Sequence, residues 1–413
     1  MRYSAKERFV AHLLSSFPEL KQKIKYVYQR LNYWRFKKDQ NFHSENILMR
    51  ISDVQDASFF GYYDRSPMSE DGKQVLFHST SGDTRKEPRF TQGIDVMLFD
   101  LDTQKAHKVA TTQAFNWQQG AKSQWLNQQE IIFNDYFPSE NKYVSKIYNT
   151  ETKQFRTIDN PIYDVFQDYA LSLSFDRLSE LRPDYGYFAK ESSQHSFDLD
   201  KEGLIYVDLK ENTSHLLLSI DTVIKNHYRE EMDDADHLVN HIMISPCGTK
   251  FMFLHRWFKN GVRHDSLMIC DRDGRNLKCL ADDGMVSHCC WKSKTEIVAY
   301  LNDSQFGANY YLIDIVDGER KPILFLSHLG DGHPHVCGDE MLVDTYPNKA
   351  RMKELLLYNF KTNQLSCLGE FFESFQYYGQ SRCDLHPRFS RKGETVFVDS
   401  VHEGERHLYM MKK

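Results

Sequence analysis

The sequence predicts an all-β fold, a seven-bladed β-propeller with an N-terminal basic helical arm. Past residue 50, short apolar strands alternate with polar turns, and two types of strand segment each recur seven times in strict alternation. About 360 residues divided by seven give about 50 residues a unit, which suits four short strands with their turns. One such unit cannot bury its apolar face, so seven units close into a ring. Two separate sandwich domains, the competing fold, predict no shared period.

The first type of segment is an apolar strand that often ends in an acidic or amide residue before a polar turn. It occupies residues 96–105, 146–154, 204–212, 267–276, 311–320, 355–364 and 407–413. The second type is a turn followed by a strand, as in SPMSEDGKQVLFHS and SPCGTKFMFLHR, and one precedes each of the seven. Residues 47–52 lie just before the first unit, and we expect them to close the ring by adding an outer strand to the last blade.

Residues 47–413 form the predicted propeller, and residues 1–46 form an arm of different composition. Between residues 1 and 40, ten basic residues stand against three acidic ones. Apolar residues at three- and four-residue spacing predict an amphipathic helix over about residues 18–38. Such a helix can lie on an anionic membrane surface or bind an acidic partner protein. It can also pack its apolar side on the propeller as a cap, and the sequence leaves these roles open.

The composition is that of a globular protein. Hydrophobic residues make up 40% of the 413 and charged residues 27%, and the net charge of −6 argues against a nucleic-acid partner. No run of about 18 apolar residues occurs, and the N-terminus lacks the pattern of a secretory signal. The eight cysteines form no CxxC pair, which is typical of reduced thiols. We therefore expect a cytoplasmic protein, either free or peripheral to the inner face of the membrane.

Unusual polar and aromatic residues cluster in the loops that lead into the innermost strand of each unit. Because the repeat places these loops equivalently, their side chains should converge on one concave surface, the default position of a binding site. Arg182 and Arg382 are candidates to bind a carboxylate there. Turn formation for the aspartates and packing for the aromatic residues are the alternatives. The predicted substrate-binding residues are Tyr62, Tyr63, Asp64, Trp117, Gln119, Tyr185, Tyr187, Arg382, Asp384 and His386.

Four histidines occur at equivalent positions of three successive units: His241, His288, His333 and His335. His333 and His335 are two residues apart, so on an extended strand their rings point to the same side. With His288 they make three imidazoles, which suit a borderline metal such as zinc, manganese or nickel. A lone histidine more often has a structural role, but the repeated placement favours a site.

The order NHIMISPCG (240–248), SHCCW (287–291), DGHPHV (331–336) and RCDLHPRFSRKGETVFVDSVHEG (382–404) resembles that of the oligogalacturonate lyase-like seven-bladed propellers. The resemblance covers the seven units, is strongest from about residue 240 onward, and does not include the arm. Its specific feature is the order of histidines across consecutive blades, because SPCG and SRKG are generic propeller turns. Many members of the wider group look like cytoplasmic proteins associated with surface-polysaccharide production.

The resemblance implies a divalent metal, typically manganese, bound by three histidines and a glutamine. It also implies a further histidine that removes a proton in a β-elimination. The metal ligands would then be His288, His333 and His335, and His241 would be the base. Arg182 is the first of two candidates for the catalytic arginine.

The chain departs from this family pattern at two positions. Gly330 stands where the metal-binding glutamine is expected, so the fourth ligand would have to come from another residue. The catalytic arginine has no single counterpart. The candidates are Asp331, Gln119 and His386 for the missing ligand, and Arg182 and Arg256 for the arginine.

Three functions from different classes are open. The first is a metal-assisted lyase that acts by β-elimination on a uronic acid-containing glycan, so the expected partner is an acidic oligosaccharide. The second is a non-catalytic platform that binds a glycan or partner protein in surface-polysaccharide biosynthesis, with the arm as its membrane or protein contact. The third is a glycoside hydrolase or transferase with Asp64 and Asp384 as a carboxylate pair. Whether the chain is an enzyme at all stays open at this point.

Overall fold

Seven antiparallel sheets make up the fold in the computed structural model, which describes residues 18–190 and 198–413. The described part begins with the helix α1 (Pro18–Phe36), followed by the short strands β1 (Phe42–His43) and β2 (Leu48–Arg50). The seven sheets are the blades of a propeller, so the predicted fold is confirmed. Among the described helices, none combines the length and apolarity that a membrane crossing requires.

The first four blades each consist of four strands that pair in chain order. The first blade is β3 (Ala57–Phe59), β4 (Gln74–Thr80), β5 (Ile94–Asp100) and β6 (Lys105–Thr112). The second is β7 (Gln124–Trp125), β8 (Glu130–Phe137), β9 (Lys142–Asn149) and β10 (Phe155–Ile158). The third is β11 (Asp164–Phe166), β12 (Tyr169–Ser172), β13 (Gly203–Asp208) and β14 (Thr213–Ser219). The fourth is β15 (Asp236–Ile244), β16 (Lys250–Lys259), β17 (Val262–Asp271) and β18 (Lys278–Ala281).

The last three blades include the strands that close the ring. The fifth blade is β19 (Val286–Trp291), β20 (Glu296–Leu301), β21 (Asn309–Asp314) and β22 (Arg320–Pro322). The sixth is β23 (His335–Cys337), β24 (Glu340–Asp344), β25 (Met352–Asn359) and β26 (Gln364–Phe372), with β1 on the outer edge of β26. The seventh is β27 (Arg388–Phe389), β28 (Thr395–Ser400) and β29 (His407–Lys412), with β2 outermost. Because β2 pairs with β29, the predicted closure by residues 47–52 is confirmed.

The acidic or amide residue that recurs at strand ends has a local cause. Asp100 Oδ1 accepts the backbone N–H of Asp102 at 3.1 Å and that of Thr103 at 2.7 Å, which fixes the turn after β5. Such side chains imitate a backbone turn and end the strand. Equivalent bonds are made by Asn149, Asp208, Asp314 and Asn359.

Short helices interrupt the strands at a few places. The irregular third repeat contains β12 followed by α2 (Phe175–Leu181), whose first turn is capped by the Ser174 hydroxyl. Ser219 caps α3 (Ile220–Asn226) in the same way. The 3₁₀ turns are Pro88–Phe90, Pro138–Glu140, Glu230–Met232, Leu324–Leu326 and Gly379–Ser381.

The first strand of each blade lies innermost. First strands of neighbouring blades contact each other, as β11 does with β15, β19 with β23 and β23 with β27. Side chains in the loops before these strands therefore meet at the axis, as the repeat predicted.

Candidate functional site

Four imidazoles meet at the axis, and each comes from a different blade. The ring centroids of His288 and His333 are 4.1 Å apart, and those of His333 and His386 are 4.4 Å apart. The ring of His241 lies 6.1 Å from that of His288. All four side chains are buried. Blades four to seven thus bring together histidines that are distant along the chain.

Hydrogen bonds fix which nitrogen carries the proton in two of these rings. His333 Nδ1 lies 2.9 Å from an Asp344 carboxylate oxygen, and His386 Nδ1 lies 2.8 Å from the Gly61 carbonyl oxygen. Both oxygens are acceptors, so each Nδ1 donates and the lone pair of the neutral ring is on Nε2. Within the described residues, both Nε2 atoms are buried without a hydrogen-bond partner. A buried lone pair held in this way is the arrangement that metal-ligating histidines use.

His288 is oriented in the same manner by an acidic neighbour. Its Nδ1 lies 3.0 Å from Asp331, whose other oxygen accepts the Ser287 hydroxyl at 2.5 Å. Burial lowers the pKa of His288 despite the nearby Asp331 carboxylate. For His333, burial also favours the neutral ring, but Asp344 outweighs it and raises the pKa. The carboxylates of Asp331 and Asp344 therefore fix the orientations of the adjacent His288 and His333 rings.

His333, Asp384 and His386 form a group that fits a metal ion. One nitrogen of each ring and a carboxylate oxygen of Asp384 all lie within 4.8 Å of one another, and the three residues are buried. Burial raises the pKa of Asp384, but Arg382 and His333 outweigh it and lower it to about 2, so the carboxylate is ionised at neutral pH. Two imidazole nitrogens and one carboxylate oxygen suit zinc or manganese.

His241 lies beside this group as a neutral ring. Its Nε2 lies 2.5 Å from the Tyr62 hydroxyl, and its Nδ1 is buried without a partner in the described chain. Burial, together with the positive charge of Arg256, lowers the pKa of His241 well below its usual value. The ring is therefore uncharged at neutral pH and available to accept a proton.

The backbone is strained at two of the four histidines. His241 has a φ of 54° and His386 a φ of 43°, both in the left-handed region that side chains other than glycine avoid. His241 also lies in a register shift of β15, between Asn240 and Met243. Bulges and strained residues re-aim side chains and occur often at functional sites.

Two arginines and two aspartates form a paired network next to the imidazoles. Arg382 Nε donates to Asp384 at 2.8 Å, and its Nη1 donates to Asp184 at 3.0 Å. Arg182 contacts Asp184 at 3.3 Å and lies over the Tyr185 ring, 5.1 Å from its centroid. Arg182 Nη1 is buried without a partner among the residues described. One donor of this network is therefore free to bind a ligand.

The predicted tyrosines pack among the imidazoles. The Tyr62 ring lies 5.4 Å from His241 and 5.0 Å from His386. Tyr63 donates to the Cys289 carbonyl oxygen at 3.0 Å, so its hydroxyl is used in the scaffold. Tyr185 lies 5.1 Å from the His241 ring.

Asp64 and Gln119 belong to a neighbouring polar layer. Asp64 accepts a hydrogen bond from the buried ammonium of Lys122 at 2.8 Å. Gln119 donates to the Tyr163 hydroxyl at 2.9 Å, and that hydroxyl accepts the backbone N–H of His241 at 3.1 Å. Gln119 thus supports the backbone of His241, whereas the Asp64 carboxylate is already paired with the Lys122 ammonium.

His335 does not join the imidazole cluster, contrary to the expectation that it lies beside His333. Its Nδ1 accepts the backbone N–H of Phe389 at 2.9 Å, so in the neutral ring the proton is on Nε2, which cannot then bind a metal. The ring lines a separate cavity of about 530 Å³ with Asp64 and Arg65. The same-side argument required an extended strand through both residues, but β23 begins only at His335.

Trp117 and Tyr187 lie in the packed core. Trp117 is 1% exposed, and its indole N–H donates to the Lys86 carbonyl oxygen at 2.7 Å. Tyr187 stacks on Phe175 with ring centroids 4.1 Å apart, and its hydroxyl accepts the Asn134 amide at 2.8 Å. These contacts are structural, as the packing alternative expected.

Two aspartates near the cluster were not predicted from the sequence. Asp344 accepts the backbone N–H groups of His333 at 2.7 Å and His386 at 3.1 Å, besides holding the His333 ring. Asp399, in the equivalent strand β28 of the seventh blade, accepts the backbone N–H groups of Phe60 and Gly61 at 2.9 Å. The repeated Val-Asp in MLVDT (341–345) and VFVDS (396–400) is a signal that could have identified both aspartates.

No protein-family model matches the chain, and no curated protein matches it significantly in sequence. Solved structures do share its fold. Oligogalacturonate lyase from Vibrio parahaemolyticus is 15% identical with a TM-score of 0.60, over 91% of this chain and 98% of that one. An oligogalacturonate lyase in complex with manganese is 16% identical with a TM-score of 0.57, over 90% and 94% of the two chains.

A chain from a different kind of complex matches almost as widely. A chain of the mitotic checkpoint complex is 10% identical with a TM-score of 0.51, over 92% of this chain and 95% of that one. At such identities the likeness establishes a shared fold, and the fold is the one that the seven repeated units predicted. The activity has to be argued from the residues at the axis.

Proposed function

We propose that this chain is a metal-assisted lyase that cleaves a uronic acid-containing oligosaccharide or polysaccharide by β-elimination. The observation that supports this most is a neutral, buried His241 beside the group formed by His333, Asp384 and His386. A base next to a metal-binding group is what removal of a carbon-bound proton requires. The shared fold with oligogalacturonate lyases agrees with this class of reaction.

His333, His386 and Asp384 are the residues that would hold the cation, with His288 adjacent. Their fit rests on the unpartnered Nε2 atoms of His333 and His386 and on the ionised Asp384. A divalent cation bound there supplies Lewis acidity toward a uronate carboxylate, which acidifies the C5 proton. Manganese is the first candidate because a similar protein binds it, and zinc or nickel also suit imidazole ligands.

His241 acts as the base in this proposal. The proposal uses the tautomer in which Nε2–H donates to the Tyr62 oxygen, 2.5 Å away, so that the lone pair on Nδ1 takes the C5 proton. The C5–H and C4–O4 bonds break, a C4=C5 double bond forms, and the departing oxygen takes a proton from water. Arg182, with its free Nη1, binds the substrate carboxylate.

Ultraviolet absorbance of the unsaturated product tests the proposal. Oligogalacturonides and other uronate oligosaccharides are incubated with the purified chain and manganese, with and without a chelator. We expect product with the natural protein and the His335→Ala control, and a loss of rate of about 100-fold or more in His241→Ala. Absence of unsaturated product from every uronate glycan, with metal supplied, would refute the lyase.

A glycan-binding platform without catalysis, acting in surface-polysaccharide biosynthesis, is the second candidate. It is favoured by the internal pairing of Arg182, Arg382, Asp184 and Asp384, which leaves few charges free for a substrate. Calorimetric binding of an oligogalacturonide that stays intact after long incubation would support it over the lyase.

A further inference from the structure

The helix α1 carries an exposed apolar stripe on one side. Ile24, Val27, Leu31 and Trp34 are 40%, 55%, 63% and 78% exposed. Their spacing of three, four and three residues puts them on a single face of a helix. A continuous row of large apolar side chains left in solvent marks a surface that binds something.

The opposite side of α1 is already attached to the propeller. Tyr33 contacts the Phe372 and Phe375 rings at centroid distances of 5.6 and 5.7 Å. Just after the helix, Lys38 forms an ion pair with Glu370 at 2.5 Å. The exposed stripe is therefore not needed to hold α1 in place, and it faces away from the blade that Tyr33 contacts.

The charges around the stripe identify its partner. In heptad notation, Ile24 and Leu31 of α1 occupy a positions, and Val27 and Trp34 occupy d positions. The e and g positions that flank this stripe contain no acidic residue. Where the side chains are described, these positions hold Lys23, Tyr28, Arg30, Arg35 and Lys37. In a coiled coil with a second copy, like charges would face each other across the seam. An anionic surface instead gains from the exposed cations Lys23, Arg35 and Lys37. Arg30 lies over the Phe375 ring of the propeller, 5.1 Å from its centroid.

The attachment point of α1 also relates the stripe to the candidate site. Met352 pairs with Phe372, and Leu355 pairs with Asp344. Phe372 therefore lies at the end of the sixth blade that carries Asp344, which holds the His333 ring. A surface bound by α1 would lie at the same end of the propeller as the imidazole cluster.

We propose that α1 binds the chain to an anionic lipid surface. The apolar stripe inserts among the acyl chains at the interface, with the Trp34 indole at the headgroup level, and the basic residues contact the anionic headgroups. This proposal is independent of the reaction at the axis, since the stripe shares no residue with that site.

Vesicle sedimentation with the full chain tests this inference. Vesicles of phosphatidylcholine with phosphatidylglycerol are compared with vesicles of phosphatidylcholine alone, at low and high salt. We expect binding to the anionic vesicles that weakens with salt, and a loss of about tenfold or more in Val27→Asp/Leu31→Asp. Lys23→Glu/Arg35→Glu should also weaken it. The matched control is Val316→Asp, at a site 75% exposed on the fifth blade, which should bind normally.

Two results would overturn the inference. Equal binding of the natural chain and Val27→Asp/Leu31→Asp to anionic vesicles would show that the stripe is not the lipid contact. A dimer in light scattering that Val27→Asp/Leu31→Asp converts to a monomer would assign the stripe to a second copy instead. Circular dichroism and thermal unfolding of each variant establish that the propeller stays folded.

Discussion

His333 and His335 are separated by one proline and are used in different ways. His333 donates from Nδ1 to Asp344, which leaves its Nε2 lone pair in a buried group with His386 and Asp384. His335 accepts at Nδ1 from the backbone of Phe389, and burial lowers its pKa to about 4. In the proposed site the first ring offers its lone pair to a cation, whereas the second ring is a structural acceptor. The partner of Nδ1, rather than the position in the sequence, separates a ligand from a packing residue.

The largest effect that tests this comparison is the loss of metal in His333→Ala. Removing a ring whose lone pair points into the buried group should weaken manganese or zinc binding by more than about 100-fold. His335→Ala should leave it unchanged, because that ring offers no lone pair to a metal. Titration calorimetry on both variants makes the measurement. Equal losses in the two variants would contradict the distinction.

A smaller effect is expected from the carboxylate that holds the ring. Asp344→Asn keeps an oxygen near His333 but removes the charge, so metal affinity should fall by about 10- to 100-fold while the ligands stay in place. The control is Asp282→Asn. Asp282 lies in a second potential metal group with His227 and Cys279, but its carboxylate is paired with Arg229 at 2.7 Å. Unchanged affinity in Asp344→Asn would mean that the ring needs no such support.

The smallest effect concerns how the stability of the protein depends on pH through His78, a histidine whose two ring nitrogens both make hydrogen bonds. His78 faces the Phe60 carbonyl oxygen and the Ser123 hydroxyl, and burial lowers its pKa to about 4. Between about pH 6.5 and pH 4 the unfolded chain binds a proton that the folded chain does not. The free energy of unfolding should therefore decrease as the pH is lowered through this range, by up to about 1.4 kcal/mol per pH unit from this group.

His78→Gln removes that contribution. Urea unfolding of the natural chain and of His78→Gln at several pH values between these limits should give a shallower slope for the variant. Parallel curves would show that His78 titrates normally in the folded state. Whatever stability the substitution itself costs shifts the whole curve and leaves the slope comparison intact.

Much of the fold could be predicted from the sequence because the cause is local and repeated. Asp100 and Asn359 end equivalent strands by bonding the turn that follows them. The alternation of strands then predicts blades of similar length, and the pairing of β2 with β29 follows from their positions at the two ends of the propeller segment.

The site was predictable only in part. The convergence of His241, His288 and His333 follows from their equivalent positions in successive blades. The exchange of His335 for His386 does not follow from the sequence, because backbone groups distant along the chain fix the proton on each ring. These are the Phe389 N–H for His335 and the Gly61 carbonyl for His386. No local pattern contains that information.

Anomalous X-ray scattering from crystals soaked in manganese tests the central claim most directly. The account predicts one strong peak at roughly 2.0–2.3 Å from both His333 Nε2 and His386 Nε2, with Asp384 as a third ligand. A peak bound by His335, or manganese bound only at the surface, would contradict it.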